Sequence, residues 1–218
     1  MKEKFFFLDL GDFDTEFQDE RLSTKKVLDL GCAHGNILFH LIFITNNNDI
    51  NYTGINKISN KDIDNFYDNF WFEDYNNNLI IDEKGDYYDY YTKVCCQILK
   101  TPPLEKNEFE KHIRSKLIFN KNIYDFVLSN QNYYDLIILS KILHYEDIDP
   151  VKVISRCLSL LTEEGRIYVK TPKRSVSDRK KEINVKILKE WFRKANAKYD
   201  FYNTELDDMY YIVLKNYS

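Results

Sequence analysis

Lys25-Lys26-Val27-Leu28-Asp29-Leu30-Gly31-Cys32-Ala33-His34-Gly35-Asn36 opens on two bases, continues as a short apolar run and ends in small residues. The run has the length and near-continuous hydrophobicity of a strand buried on both faces, as in a parallel sheet. Residues 36–44 follow as an apolar helix, so the chain begins with a strand, a glycine-containing loop and a helix. Tyr52-Thr53-Gly54-Ile55 is a second brief strand, ended by Asn56.

Further along, Leu117-Ile118-Phe119 reads as a strand, and Leu136-Ile137-Ile138-Leu139 is another continuous apolar run. Asp149-Pro150 sets a cap and a first-turn proline ahead of a helix over residues 151–161, whose Val153, Ile154, Cys157, Leu158 and Leu161 recur at helical spacing. Glu163-Glu164-Gly165 reads as a turn into the strand Arg166-Ile167-Tyr168-Val169. A helix over 185–195 precedes two runs, 198–202 and 209–214, close enough to pair antiparallel. Strands alternating with helices and closing on a hairpin predict a doubly wound α/β fold: a mainly parallel sheet with an antiparallel edge.

The chain of 218 residues suits one domain over 1–218. Residues 61–115 interrupt the alternation with aromatic and acidic residues and an amphipathic stretch over 87–99 that stops at Thr101-Pro102-Pro103, which predicts a largely helical insertion. No apolar stretch approaches the roughly 20 residues of a membrane span. The apolar run at the amino terminus is too short for a signal sequence and is closed by Asp9. Cys32, Cys95, Cys96 and Cys157 form no Cys-x-x-Cys pair, so reduced thiols, no zinc, and a cytoplasmic or nuclear setting are expected.

A net charge of −4 hides an asymmetry. Residues 62–89 hold nine acids and one base, whereas 170–198 hold eleven bases and three acids. The acidic insertion is a candidate protein contact. Its aromatic residues, Trp71 and Tyr88 among them, read either as a lid or as packing on the sheet, because acids between them would repel phosphates.

In an open α/β sheet a ligand sits beyond the carboxyl ends of the strands near the switch point, which directs attention to the loop after the first strand. Gly31 and Gly35, with small Cys32 and Ala33 between them, give main chain room to approach a ligand. The spacing Gly-x-Ala-x-Gly is not the Gly-x-Gly-x-x-Gly that cradles a dinucleotide pyrophosphate, which argues against nicotinamide and flavin cofactors.

Val27 to Asn36 resembles the first motif of class I S-adenosylmethionine-dependent methyltransferases, and Tyr52-Thr53-Gly54-Ile55-Asn56 resembles their second. Tyr134-Asp135-Leu136-Ile137-Ile138-Leu139-Ser140-Lys141-Ile142-Leu143-His144-Tyr145 is similar to the fourth-strand motif, and residues 160–169 to the turn and fifth strand. The resemblance covers about two-thirds of the chain in family order and implies a seven-stranded, Rossmann-like sheet. It implies S-adenosylmethionine as cofactor, with Asp29 holding its amino-acid end through the loop and Gly31, Cys32, Ala33 and Gly35 lining its path. Asn56 stands where the family usually has an acid for the ribose hydroxyls, which exchanges charge-assisted bonds for neutral ones.

Asn122 matches the residue that reads the adenine edge, with Ile123 stacking beside it and Asp125 as the competing candidate. Ser140, Lys141 and His144 would border the transferred methyl group, with His144 the candidate base and a backbone-satisfied histidine the competing reading. Lys170, Lys173 and Arg174 begin a basic stretch where substrate enters this fold, favouring RNA or another phosphate-bearing partner; a solvated helix face is the alternative. Residues 119–124, the insertion ahead of them and the basic stretch are also similar, over short gapped matches, to RNA methylphosphate capping enzymes.

Overall fold

The computed structural model describes residues 26–32, 38, 51–57, 88, 102–118, 121–173, 183–202 and 209–217. Within them the elements run β1 (Lys26–Leu30), β2 (Asn51–Ile55), α1 (Lys106–Ser115), β3 (Leu117–Ile118), α2 (Ile123–Ser129), β4 (Tyr134–Ser140), α3 (Pro150–Ser159), β5 (Leu161–Pro172), α4 (Val185–Lys194), β6 (Ala197–Tyr202) and β7 (Met209–Asn216). The strands form one sheet of order β3-β2-β1-β4-β5-β7-β6. β1, β2, β3, β4 and β5 pair parallel, while β7 runs antiparallel to both β5 and β6. The expected doubly wound sheet with an antiparallel terminal hairpin is therefore present. Its order reverses between β1 and β4, the point at which two diverging crossover loops leave a crevice.

The sequence explains why β4 is central. Leu136, Ile137, Ile138 and Leu139 are all buried, as a strand covered by helices on both faces requires. Each such side chain contributes about 1.5–3 kcal/mol when fully removed from water. On one face, Leu30, Leu139, Val169 and Ile212 pack with Ile154, Cys157, Leu188 and Phe192 of α3 and α4 into the main core. Strand alternation turns Val27, Asp29, Ile138, Tyr168 and Lys170 to the opposite face, with Tyr52 and Tyr211 beside them by register. That second face carries the buried charged groups Asp29 and Lys170.

The helix starts follow local chemistry. Asp149 caps α3 by accepting from the Lys152 N–H at 3.1 Å, and Pro150 fills the first turn, as the sequence implies. Asn184 caps α4 in the same way at 3.0 Å. At the amino ends of the strands, Asp135 accepts from the Lys26 N–H at 2.8 Å and from the Thr162 hydroxyl at 2.9 Å, which fastens β1, β4 and β5 together.

One boundary differs from expectation. Glu163-Glu164-Gly165 is not a turn into the fifth strand: β5 already begins at Leu161, and the three lie inside it where the β4 register jumps from Tyr134↔Leu161 to Leu136↔Arg166. The irregularity needs glycine, because a Cβ at Gly165 would lie 2.9 Å from the Tyr134 carbonyl oxygen. The helix expected over 36–44 lies outside the described residues except for Leu38, which is helical and buried. Most of the 61–115 segment also lies outside them. Its described part includes α1, on which Tyr88 packs through the Phe109 ring (5.6 Å) and a 2.7 Å bond from its hydroxyl to the Leu104 carbonyl.

Candidate functional site at the carboxyl edge of the parallel strands

β1 ends in a tight turn. Gly31 has φ +80°, and both its N–H and that of Cys32 donate to the Ile55 carbonyl oxygen, at 2.9 and 3.1 Å, so the loop is drawn onto the end of β2. The left-handed backbone favours glycine. A Cβ at Gly31 would run into Ile142 Cγ2, with Ile123 Cδ1 3.8 Å away. The space that glycine leaves on its Cβ side is filled by Ile142 of the protein itself. Glycine at 31 lets the loop after β4 pack against the loop after β1.

Asp29 lies within strand β1, two residues before Gly31, and is fully buried. The parallel register sets Tyr52 opposite Val27, diagonal to Asp29 on the same face, and the Tyr52 hydroxyl donates to Asp29 Oδ2 at 2.6 Å. That length belongs to a charge-assisted bond. The Cys32 thiol is pushed well above its ordinary pKa by burial and by the nearby Asp29 carboxylate, so it stays protonated and serves as a packing group. A Cβ at Gly54 would lie 2.8 Å from Cys32 Sγ and 2.8 Å from Leu117 Cδ2, which is why the residue beside Asp29 on β2 has no side chain.

Asn56 is buried just past β2, its N–H donating to the Ile118 carbonyl and its own carbonyl accepting from the Lys121 N–H, both at 2.9 Å. Asn122 is the N-cap of α2: its Oδ1 accepts from the Tyr124 N–H at 2.8 Å and its side chain is exposed. Ile123 is half-buried beside the Gly31 turn, and Asp125 is exposed in the first turn of α2. Tyr124 anchors the next loop by accepting from the Asp149 N–H at 2.7 Å and donating to the Asp149 carbonyl at 3.2 Å.

After β4, half-buried Ser140 is followed by exposed Lys141 in the left-handed region, φ 55°, its N–H donating to the Lys170 carbonyl at 2.7 Å. A lysine held there costs about 1–2 kcal/mol, which the neighbouring strand bonds offset. His144 is buried, with its ring stacked on that of Tyr145 at 4.6 Å and 26°.

Lys170 ends the polar face of β5, in register with Ser140 on one side and Tyr211 on the other. Its ammonium lies 5.2 Å from the Tyr211 ring centroid and the residue is 3% exposed; half-buried Lys173 lies 5.9 Å from the Tyr210 ring. Ala33, Gly35 and Arg174 lie outside the described residues. The structure thus gathers Asp29, Gly31, Cys32, Asn56, Ile123, Ser140, Lys141, His144 and Lys170 along one edge of the sheet and its loops. Sequence reasoning missed Tyr52, Ile142 and Tyr211, which only the strand register and loop packing bring to this edge.

Among the described residues no group of three or more His, Cys, Asp or Glu side chains could hold a metal ion, and no helix is long and apolar enough to cross a membrane.

A family model described as a methyltransferase domain matches residues 5–209. No curated protein sequence matches the chain. Similar solved structures include an O-methyltransferase family protein from Burkholderia thailandensis, with TM-score 0.54 at 11% identity, covering 94% of this chain and 55% of that one. The pyocyanin biosynthetic protein PhzM aligns with TM-score 0.52 at 8% identity, covering 94% and 56%. The mitomycin 7-O-methyltransferase MmcR aligns with TM-score 0.52 at 8% identity, covering 95% and 55%. The chain therefore spans about half the length of these structures, and the likeness is one of fold.

Proposed function

This chain belongs to the methyltransferase domain family, and on that premise we propose that it transfers a methyl group from S-adenosylmethionine to an acceptor seated beside Lys170 and Lys173, with RNA or another phosphate-bearing molecule as one reading and a small molecule as the second. The observation that carries the reading is the fully buried carboxylate of Asp29 at the switch point, fixed by Tyr52. A buried carboxylate beside a loop is costly unless hydrogen bonds and a cation offset it. The cofactor's ammonium is such a cation, so the donor set fits the group.

When bound, the cofactor supplies a methyl group on a positively charged sulfur. Asp29 and the main chain of Gly31 and Cys32 would hold its amino-acid end, Asn56 its ribose, and Ile123 with Asn122 its adenine. Asn56 can donate and accept one hydrogen bond each but lacks charge-assisted strength. With its Oδ1 engaged in capping α2, Asn122 would offer the amide N–H₂. Ser140, Lys141 and His144 would border the acceptor, and Lys170 with Lys173 would neutralise its charge.

A phosphate oxygen is already ionised at neutral pH, so its methylation needs positioning and no base. A hydroxyl acceptor would need one, and the buried imidazole of His144 is then the group to hold the proton. The deep burial of Lys170 favours this second reading, a small-molecule acceptor, because a polymer has limited access to a covered ammonium. O-methylation of a small molecule is also what the name of one structural neighbour, the mitomycin 7-O-methyltransferase, describes for that protein. A third reading, a methyltransferase-like subunit that binds partners without catalysis, rests on the missing acid at 56.

Titration of the pure chain with S-adenosylhomocysteine tests the core of the proposal. Saturable binding that weakens in Asp29→Asn supports it, and absence of binding leaves the non-catalytic reading standing.

A further inference from the structure

Beyond the cofactor-holding role proposed for Asp29, we infer that Tyr52 is a positioning residue for the cofactor, acting through the Asp29 carboxylate. The inference rests on the proposed function, and its argument is geometric. Strand β2 offers Asp29 no lateral side chain, since its register partner is Gly54 and a Cβ there would collide with Cys32 and Leu117. The hydroxyl comes instead from Tyr52, one register step back on the same face, along a 2.6 Å bond between two buried groups.

A carboxylate has two soft torsions, and in a buried site each wrong rotamer points its charge at apolar neighbours. A donor rigidly mounted on the adjacent strand removes that freedom before any ligand arrives. Pre-ordering of this kind strengthens binding by lowering what must be fixed on association. The aromatic ring itself also packs on the polar face of the sheet, so the hydroxyl and the ring have separable roles. Tyr134 provides an internal comparison: its hydroxyl is also buried and accepts from Asn130 Nδ2 at 2.8 Å, but at the amino end of β4, away from the site.

The test uses the full chain with S-adenosylhomocysteine as probe, read by calorimetry and by the melting temperature of the unliganded protein. Tyr52→Phe keeps the ring and removes the donor. It is expected to weaken S-adenosylhomocysteine about tenfold, equivalent to about 1.4 kcal/mol, while Tyr134→Phe, which loses a comparable buried bond, leaves affinity unchanged. In the Asp29→Asn background, Tyr52→Phe is expected to cause no further loss of affinity, because the ionic acceptor through which it acts is gone.

Equal losses from Tyr52→Phe and Tyr134→Phe would reduce the effect to general loosening and overturn the inference, as would a full tenfold loss from Tyr52→Phe in the Asp29→Asn background. Unchanged affinity in Tyr52→Phe overturns it directly. If the unsubstituted chain itself fails to bind, it is the proposed function that fails. If Tyr52→Phe melts near the titration temperature, all four proteins of the cycle are titrated below that melting point, with the same outcomes.

Discussion

Ile142 Cγ2 occupies the volume that a Cβ on Gly31 would need, so the loop after β4 is seated in the notch of the loop after β1. The loops after β1 and β4 are thus packed against each other where the sheet order reverses.

Gly31→Ala would meet two penalties, the left-handed φ and the clash with Ile142. The conformational part is about 1–2 kcal/mol, and overpacking adds about 1–3 kcal/mol. Ile142→Ala leaves a cavity of its own, so the comparison is made within that background, where the Gly31→Ala penalty should shrink to the first part. Chemical denaturation of the three variants measures this; a Gly31→Ala chain as stable as the parent would refute the packing.

Arg156 of α3 donates from Nε to the Val127 carbonyl at 3.1 Å and from Nη2 to the Asn130 carbonyl at 2.7 Å, closing the end of α2. Hydrogen bonds from a charged group are worth about 1.5–3 kcal/mol each, so Arg156→Met is expected to cost about 2–4 kcal/mol after the retained stem packing. Arg156→Lys should recover little, because one ammonium cannot reproduce the planar fork. Equilibrium unfolding that places lysine level with arginine would contradict the capping role.

The buried thiols give a pH dependence. Burial pushes Cys157 up to about 12 and raises Cys32 well above its ordinary value. Both stay protonated at neutral pH, so native-state alkylation at these two positions should be slow and unfolding should release it, as peptide mass spectrometry can follow. A raised thiol pKa contributes stability that is present at neutral pH and lost as pH rises from about 9 through 12. Cys157→Ala should flatten that alkaline decline, and an unchanged decline would count against it.

Ionic strength separates the acceptor classes. A phosphate-rich polymer held through several lysines should lose affinity steeply between low and moderate salt, roughly tenfold or more for a few contacts. A small acceptor seated near Lys170 should respond weakly.

The sheet was legible because its parallel strands are buried on both faces and write themselves as unbroken apolar runs, with Asp149-Pro150 marking α3. β5 was misread at its start because two exposed acids and a glycine have the composition of a turn, although Gly165 is required there by the Tyr134 carbonyl. Asn122 illustrates a different limit, since an asparagine at a helix start suits both a ligand and a cap, and only coordinates show which bond its oxygen makes. Tyr52 could not be found from composition, because a strand covered on both faces does not announce which residues share a face with Asp29. Parallel register supplies that information.

The most direct measurement is calorimetric titration of S-adenosylhomocysteine into the pure 218-residue chain, paired with Asp29→Asn. The account expects saturable one-to-one binding, a raised melting temperature, and affinity at least tenfold weaker in the variant. No heat and no melting shift in the parent chain, or equal affinity in both proteins, would contradict a cofactor site built around the buried carboxylate.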